Sequence, residues 1–167
     1  MGQEAKSACG TEQLAGGVEA GIEGSIHAMC LLWEHHSQEE EYGFLLIDAQ
    51  NAFNEDNRTA MLWAVRHEWP GGAQFTCNCY RHWATLVLRD TVNGSDHFLH
   101  SKEGVTQGDP FAMIAYGIGV LSLIRDLRRA HPHVTQPWYS DEMVAGGKFV
   151  EIMDHLRDFQ RRGPARG

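Results

Sequence analysis

Three acidic side chains stand where an apolar run meets a turn. Asp48 closes the run GFLLID, and Asp141 and Glu142 follow Tyr139-Ser140 in QPWYSDEMV. Between them lies GVTQGDP, Gly104 to Pro110. Carboxylates on two strand ends can share divalent cations about 3.5–4 Å apart, one activating an attacking hydroxyl and the other stabilising a leaving oxygen. Mg²⁺ suits such a set, because it takes carboxylate oxygens and keeps room for water and phosphate. The chemistry to expect is two-metal transfer of a phosphoryl or nucleotidyl group. Each acid also has a plainer reading. An Asp just after a strand commonly caps a turn or helix, and an Asp in a hairpin turn bonds local backbone. The combination carries the argument, not any single member.

The elements that must position these residues are legible from periodicity. Tyr42–Asp48 reads as a buried central strand, because Phe44 to Ile47 run apolar without alternation. Val134–Tyr139 and Glu142–Ala145 read as a hairpin turning at Ser140-Asp141, with Gly146-Gly147 breaking the second strand. Val92-Asn93-Gly94-Ser95 separates the β-prone runs 84–90 and 96–102, a strong hairpin signal. Helical spacing marks 14–36 (or a start near Gly21 after a glycine-rich loop), 58–68, a short helix at 73–83, 111–130 and 148–162. On the last, Phe149, Ile152, Met153, Leu156 and Phe159 form the apolar face. Helices mixed with hairpins give an α+β fold, a sheet with helices packed on one face. Residues 1–13 read as a flexible start, 14–162 as one domain and 163–167 as a tail.

Composition narrows the function. The chain has 167 residues, 43% of them hydrophobic, which supports a packed core. A net charge of -8 argues against a broad nucleic-acid-binding surface and leaves only local basic clusters. These are Arg125, Arg128 and Arg129, and Arg157, Arg161, Arg162 and Arg166. The four cysteines, Cys9, Cys30, Cys77 and Cys79, form no CxxC pair. With no apolar leader and no apolar run of ~18 residues, the expectation is a protein of a reducing intracellular compartment with no membrane span.

The chain resembles the palm of reverse transcriptases, most closely those of non-LTR retroelements. LLIDAQNAFNEDNR is similar to the family's first palm motif, GVTQGDPFAM to its second and WYSDE to its third, usually Tyr-Ala-Asp-Asp. GGVEAGIEGSIHAM is similar to the segment leading from fingers to palm. The resemblance covers residues 10–162 and implies an antiparallel palm sheet. It implies that Asp48 and Asp141 hold Mg²⁺ or Mn²⁺, with Glu142 as the further catalytic acid. It implies that Ala49, Phe53, Gln107 and Gly108 contact the incoming nucleotide and that Tyr139 lines the primer end. Phe53 reads equally as a core aromatic. The implied partners are a template-primer and dNTP.

Two departures qualify what the resemblance implies. Glu142 replaces an Asp, adding a methylene to a ligand that metal geometry constrains. The matching region also lacks most of the fingers and the thumb. Two other readings therefore stand beside RNA-directed DNA polymerase. One is a non-catalytic, retroelement-derived domain that binds or self-assembles through Trp63, Trp69, Trp138 and the Ile114–Leu121 face, as a homo-oligomer. The other is a metal-binding or hydrolytic protein built on the ten histidines, such as His97 and His100 or His131 and His133.

Overall fold

The computed structural model describes residues 2–163; residues 164–167, with Arg166 and most of the expected tail, lie outside the described residues. Strands β1 (Tyr42–Asp48), β4 (Trp138–Tyr139) and β5 (Glu142–Lys148) form an antiparallel sheet in the order β1-β5-β4. Strands β2 (Ala84–Arg89) and β3 (Asp96–Ser101) pair only with each other. The helices are α1 (Gly2–Cys9), α2 (Gly21–His36), α3 (Ala52–Glu55), α4 (Arg58–Glu68), α5 (Pro70–Tyr80), α6 (Ala112–Gly119), α7 (Leu121–Ala130) and α8 (Phe149–Arg162). The architecture is α+β, as the mixed periodicities predict.

The central strand is β5, not β1. β1 pairs with it along its whole length, from Tyr42↔Lys148 to Asp48↔Glu142. Strand alternation then sorts the side chains. Leu45, Ile47, Met143 and Ala145 turn to the core, while Leu46, Asp48, Val144 and Glu142 take the other face. β1 is thus an edge strand covered on one side, and Leu46 is 77% exposed. The unbroken apolar run has a different cause: Phe44 meets the Trp33 ring of α2 at 6.0 Å and Tyr42 at 5.9 Å. Gly146-Gly147 continues β5 instead of breaking it. The Phe44 ring fills the space over its cross-strand partner Gly146, where a Cβ would lie 2.8 Å from a ring carbon. β4 is shorter than expected, because Pro137 has no N–H to give the ladder; only an isolated Thr135↔Gly146 bridge precedes it.

The core lies between the sheet and helices α4, α6 and α7, where Met61, Trp69, Ile118, Leu121, Ile124, Leu127 and Met143 are fully buried. The segment 1–13, read as a flexible start, carries helix α1 over Gly2–Cys9. Its small residues Ala5 and Cys9 let α1 dock closely, and burial raises the Cys9 thiol to about 11. Arg125 bonds both Glu12 and Glu68 at 2.7 Å, tying α7 to this segment and to α4. The helix expected over 111–130 divides at Val120, next to the weak helix formers Gly117 and Gly119. α5 starts at Pro70, three residues before the short helix expected over 73–83, because proline is at home in a first turn. α8 buries Ile152 and His155, while Phe149 and Met153 are exposed.

The surface also differs from expectation. Trp69, Trp138, Ile118 and Leu121 are buried, so of the proposed association residues Trp63 is the tryptophan that is exposed. The exposed apolar groups lie instead on the β2–β3 hairpin (Leu86, Val87, Leu88, Phe98) and on α2 (Ile26, Leu31, Trp33). Among the described residues the basic clusters are engaged internally: Arg129 pairs with Asp126, Arg157 with Asp154, and Arg161 and Arg162 with Asp158.

Two buried titratable groups oppose each other. His155 is fully buried, with Nε2 3.2 Å from Gln136 Oε1 and Nδ1 unpartnered. Burial and the nearby His131 lower its pKa from 6.5 to about 4. Asp56 is buried with Oδ2 unpartnered, and burial raises it from 3.8 to about 7. The His155 contribution is present above pH 6.5 and lost as pH falls towards 4. The Asp56 contribution is present below pH 3.8 and lost as pH rises towards 7. We therefore expect Asp56→Asn to lose stability on acidification more steeply than the parent, and His155→Leu to gain it. Urea unfolding between pH 4 and 6.5 measures both slopes; three parallel curves would contradict this assignment.

Candidate active site

The three acids lie at one end of the sheet, but among the described residues they do not converge as a group of three that could hold a metal ion. Asp48 is the last residue of β1 and lies directly opposite Glu142, the first of β5. Direct cross-strand partners carry their Cβ atoms about 4.5–5.5 Å apart on the same face, and both residues are exposed there. Asp141 belongs to the turn between β4 and β5, closed by the Tyr139↔Glu142 pair. Its carbonyl accepts a hydrogen bond from Ala49 N–H at 3.3 Å, so the end of β1 is fastened to the turn itself. The preceding turn residue, Ser140, has φ 57°, the left-handed region that a tight hairpin needs at its first central position.

This turn is held from a distance. Gln13, fully buried and 127 residues away in sequence, accepts from Ser140 N–H through Oε1 at 2.7 Å and donates through Nε2 to Ser140 O at 2.9 Å. Its Oε1 also accepts from Ala15 N–H at 3.3 Å, which fixes the amide's orientation. Gly117 makes room for it: a Cβ there would lie 2.8 Å from Gln13 Cγ. Gln13 sits in a polar stretch with no periodic pattern, so sequence reasoning missed it. A glutamine between Glu12 and Leu14 carries no signal of burial.

The loop that carries Gly104, Gln107 and Gly108, here the Gly-Gln-Gly loop, is stitched to the loop after Asp48. Val105 N–H donates to Phe53 O at 2.6 Å and Gly104 N–H to Asp56 O at 2.8 Å. Gly104 has φ +65°, and a Cβ there would lie 2.2 Å from Phe53 O, so only glycine fits. Arg58 fastens the loop's root, donating to Gly104 O at 2.9 Å, Glu103 O at 2.7 Å and Ser101 O at 3.1 Å. Asp109 orders the turn that leads into α6, with Oδ1 accepting from Phe111 N–H at 2.9 Å while the Tyr80 hydroxyl donates to Oδ2. Gln107 and Gly108 stand exposed at the loop's tip. Phe53 is half-buried, its ring 4.8 Å from that of Tyr116.

Asp141 also lines a cavity of about 370 Å³ with Ala49, Asp56 and Tyr116, whereas Asp48 and Glu142 lie outside it. No hydrogen bond or ion pair among the described residues engages the carboxylates of Asp48, Asp141 or Glu142. Among the described residues no three His, Cys, Asp or Glu side chains converge as a metal cage, so the histidine-based reading finds no centre. Two unengaged carboxylates at a rigid strand end are instead the donor chemistry of an ion that draws its remaining ligands from water and substrate phosphate.

No family model matches the chain, and neither does any curated protein. Solved structures do. Telomerase from Candida albicans, in complex with the TWJ fragment of telomeric RNA, aligns with TM-score 0.67 and 10% identity over 95% of this chain and 32% of that one. Apo telomerase from Candida tropicalis, truncated from its C-terminal domain, aligns with TM-score 0.64 and 12% identity over 94% and 35%. The chain shares its fold with telomerase. That fold is reverse-transcriptase-related, as the three motifs imply. At these identities the likeness concerns fold, and the chain spans about a third of the length of the telomerase chains it matches. No helix among the described residues is long and apolar enough to cross a membrane.

The Gln13 clamp is open to direct measurement. Gln13→Leu leaves a buried N–H and C=O of Ser140 unpaired, which should cost about 2–3 kcal/mol. Gln13→Glu keeps the acceptor for Ser140 N–H but sets a second acceptor against Ser140 O in a buried place, so it should also destabilise, and less so at low pH where the acid can donate. Equal stability of Gln13→Leu and the parent in denaturant unfolding would refute the clamp.

Proposed function

We propose that this chain is the palm of an RNA-directed DNA polymerase of the non-LTR retroelement kind, built to transfer a nucleotidyl group to a primer 3′-hydroxyl. The observation that carries the reading is the β1–β5 register, which sets Asp48 opposite Glu142 beside the Asp141 turn, at the exposed end of a sheet face. That end would receive the template-primer duplex, and the Gly-Gln-Gly loop is anchored to the same loop that follows Asp48.

In this reading Asp48 and Asp141 hold Mg²⁺ or Mn²⁺, which when bound lowers the pKa of the 3′-hydroxyl and neutralises charge on the phosphates. The chain's own residues orient the reactants. Ala49 is fixed by its bond to the Asp141 carbonyl and presents backbone to the triphosphate. Phe53, held by Tyr116, lies under the incoming sugar, and Gln107 with Gly108 approaches the nucleotide and template base. Tyr139 supports the primer end. Glu142 places a longer carboxylate against Asp48 and tunes the site. The free cysteines accord with a reducing, intracellular setting.

Primer extension on an RNA template with Mg²⁺ or Mn²⁺ tests this reading. Asp48→Asn and Asp141→Asn should each reduce extension by at least about a hundredfold, as expected when a residue supporting transition-state charge is lost, while Glu142→Asp should retain or raise it. Extension that persists in Asp48→Asn would remove the proposed site.

A second reading, a retroelement-derived domain that binds or self-assembles without catalysis, draws on the apolar surface of α2 and the β2–β3 hairpin. It predicts concentration-dependent association in light scattering that Phe98→Ser with Val87→Ser reduces. A monomer at high concentration would count against it.

A further inference from the structure

The β2–β3 ribbon carries a main-chain edge that is complementary to itself. Its register sets Arg89 opposite Asp96, Val87 opposite Phe98 and Thr85 opposite His100. Asp90 N–H donates to Ser95 O at 2.8 Å, so residues 90 and 95 are a hydrogen-bonded pair of the same ladder. Antiparallel partners alternate between hydrogen-bonded and non-hydrogen-bonded pairs. The N–H and C=O groups of Asp96, Phe98 and His100 therefore point away from β2, along the edge of β3 that pairs with no other strand. Their side chains share one face of the ribbon, and all three residues are exposed. Edge strands are commonly blunted by proline, lysine or a bulge. The stretch 96–101 has none of these.

We propose that a second copy of this chain covers this edge, β3 against β3 in antiparallel order, with Phe98 at the two-fold axis. The proposal rests on the self-associating reading and gives it an edge and a register. With Phe98 facing its own counterpart, symmetry sets Asp96 of each copy opposite His100 of the other, so an acid meets an imidazole twice. Asp96 already takes Arg89 Nε at 2.9 Å and Nη2 at 3.2 Å, but a carboxylate has further lone pairs to offer. His100 turns Nδ1 towards Thr85 Oγ1 at 3.4 Å, which leaves Nε2 for the carboxylate across the axis. On the same face Val87 and Phe98 of both copies join into one apolar stripe. The β2 edge has no such match. Its outward residues are Thr85, Val87 and Arg89, and symmetric pairing about Val87 sets the arginine against a threonine. A contact that uses the same patch on both copies closes at two.

Sedimentation equilibrium of the full chain measures the dimer constant. Two proline substitutions separate the edges. His100→Pro removes an outward N–H from β3, and Thr85→Pro removes its cross-strand counterpart from β2; neither takes a bond from the β2–β3 ladder. Both positions lie outside the core. His100→Pro should weaken dimerisation by at least about tenfold, while Thr85→Pro leaves it unchanged. His100→Asp sets carboxylate against carboxylate and should weaken it about tenfold. Adding Asp96→His restores an acid–imidazole pair in the reverse order and should recover most of the loss. Equal weakening by the two prolines, or no recovery in the exchanged double variant, would overturn the β3 pairing and leave self-association standing. A chain that stays monomeric at high concentration would remove both. Asp48→Asn, outside the ribbon, should dimerise like the parent whatever its effect on primer extension.

Discussion

The pairing of β1 with β5 is the constraint on which the rest of the molecule depends. Seven consecutive cross-strand pairs fix the two strands. A slip of one residue would exchange every inner side chain for an outer one. Met143 and Ala145 would leave the core, and Asp48 would turn inward among apolar groups. The hydrophobic demand on one face therefore holds two carboxylates on the other. Core packing and the geometry of the acids are one requirement, which is why a site carried by so few residues can be rigid.

Around that ladder, long-range ties converge on short loops. Gln13 holds the β4–β5 turn, Arg58 holds the root of the Gly-Gln-Gly loop, and Phe53 O receives Val105 N–H. Each tie joins segments distant in sequence through backbone groups. Such bonds constrain where a loop runs without dictating its exposed side chains. Gln107, Gly108 and Tyr139 thus project from an anchored frame. The helices that enclose the core buttress this frame from behind, with α7 joined to α4 and the N-terminal segment through Arg125.

Elements with strong local signals were readable in advance. α4 runs from Arg58 to Glu68 as its periodicity predicts, and the Asn93-Gly94 hairpin and the β1 strand fall where expected. The motif order correctly pointed to a reverse-transcriptase-related fold. What eluded the sequence was tertiary. Nothing local marks α1 as docked, since two small residues, Ala5 and Cys9, provide its burial. The apolar run in β1 indicated a covered strand, but aromatic contacts to Trp33 account for part of it. Gly146 resembled a breaker because the Phe44 ring above it comes from another strand. The resemblance implied Asp48 together with Asp141, whereas the register sets Asp48 opposite Glu142. Gln13 was illegible as a site residue because it is a common polar type whose importance arises from what surrounds it.

The β2–β3 hairpin touches little besides itself and carries apolar side chains on both faces, with neither outer edge paired among the described residues. Two isolated strands are marginal in water, and open edges are templates for intermolecular pairing. Its residues contribute little to the core that decides whether the chain folds. Colloidal behaviour and thermodynamic stability are therefore governed by different parts of this protein: a variant can be firmly folded and still precipitate, and solubility can be adjusted at the ribbon without disturbing the core.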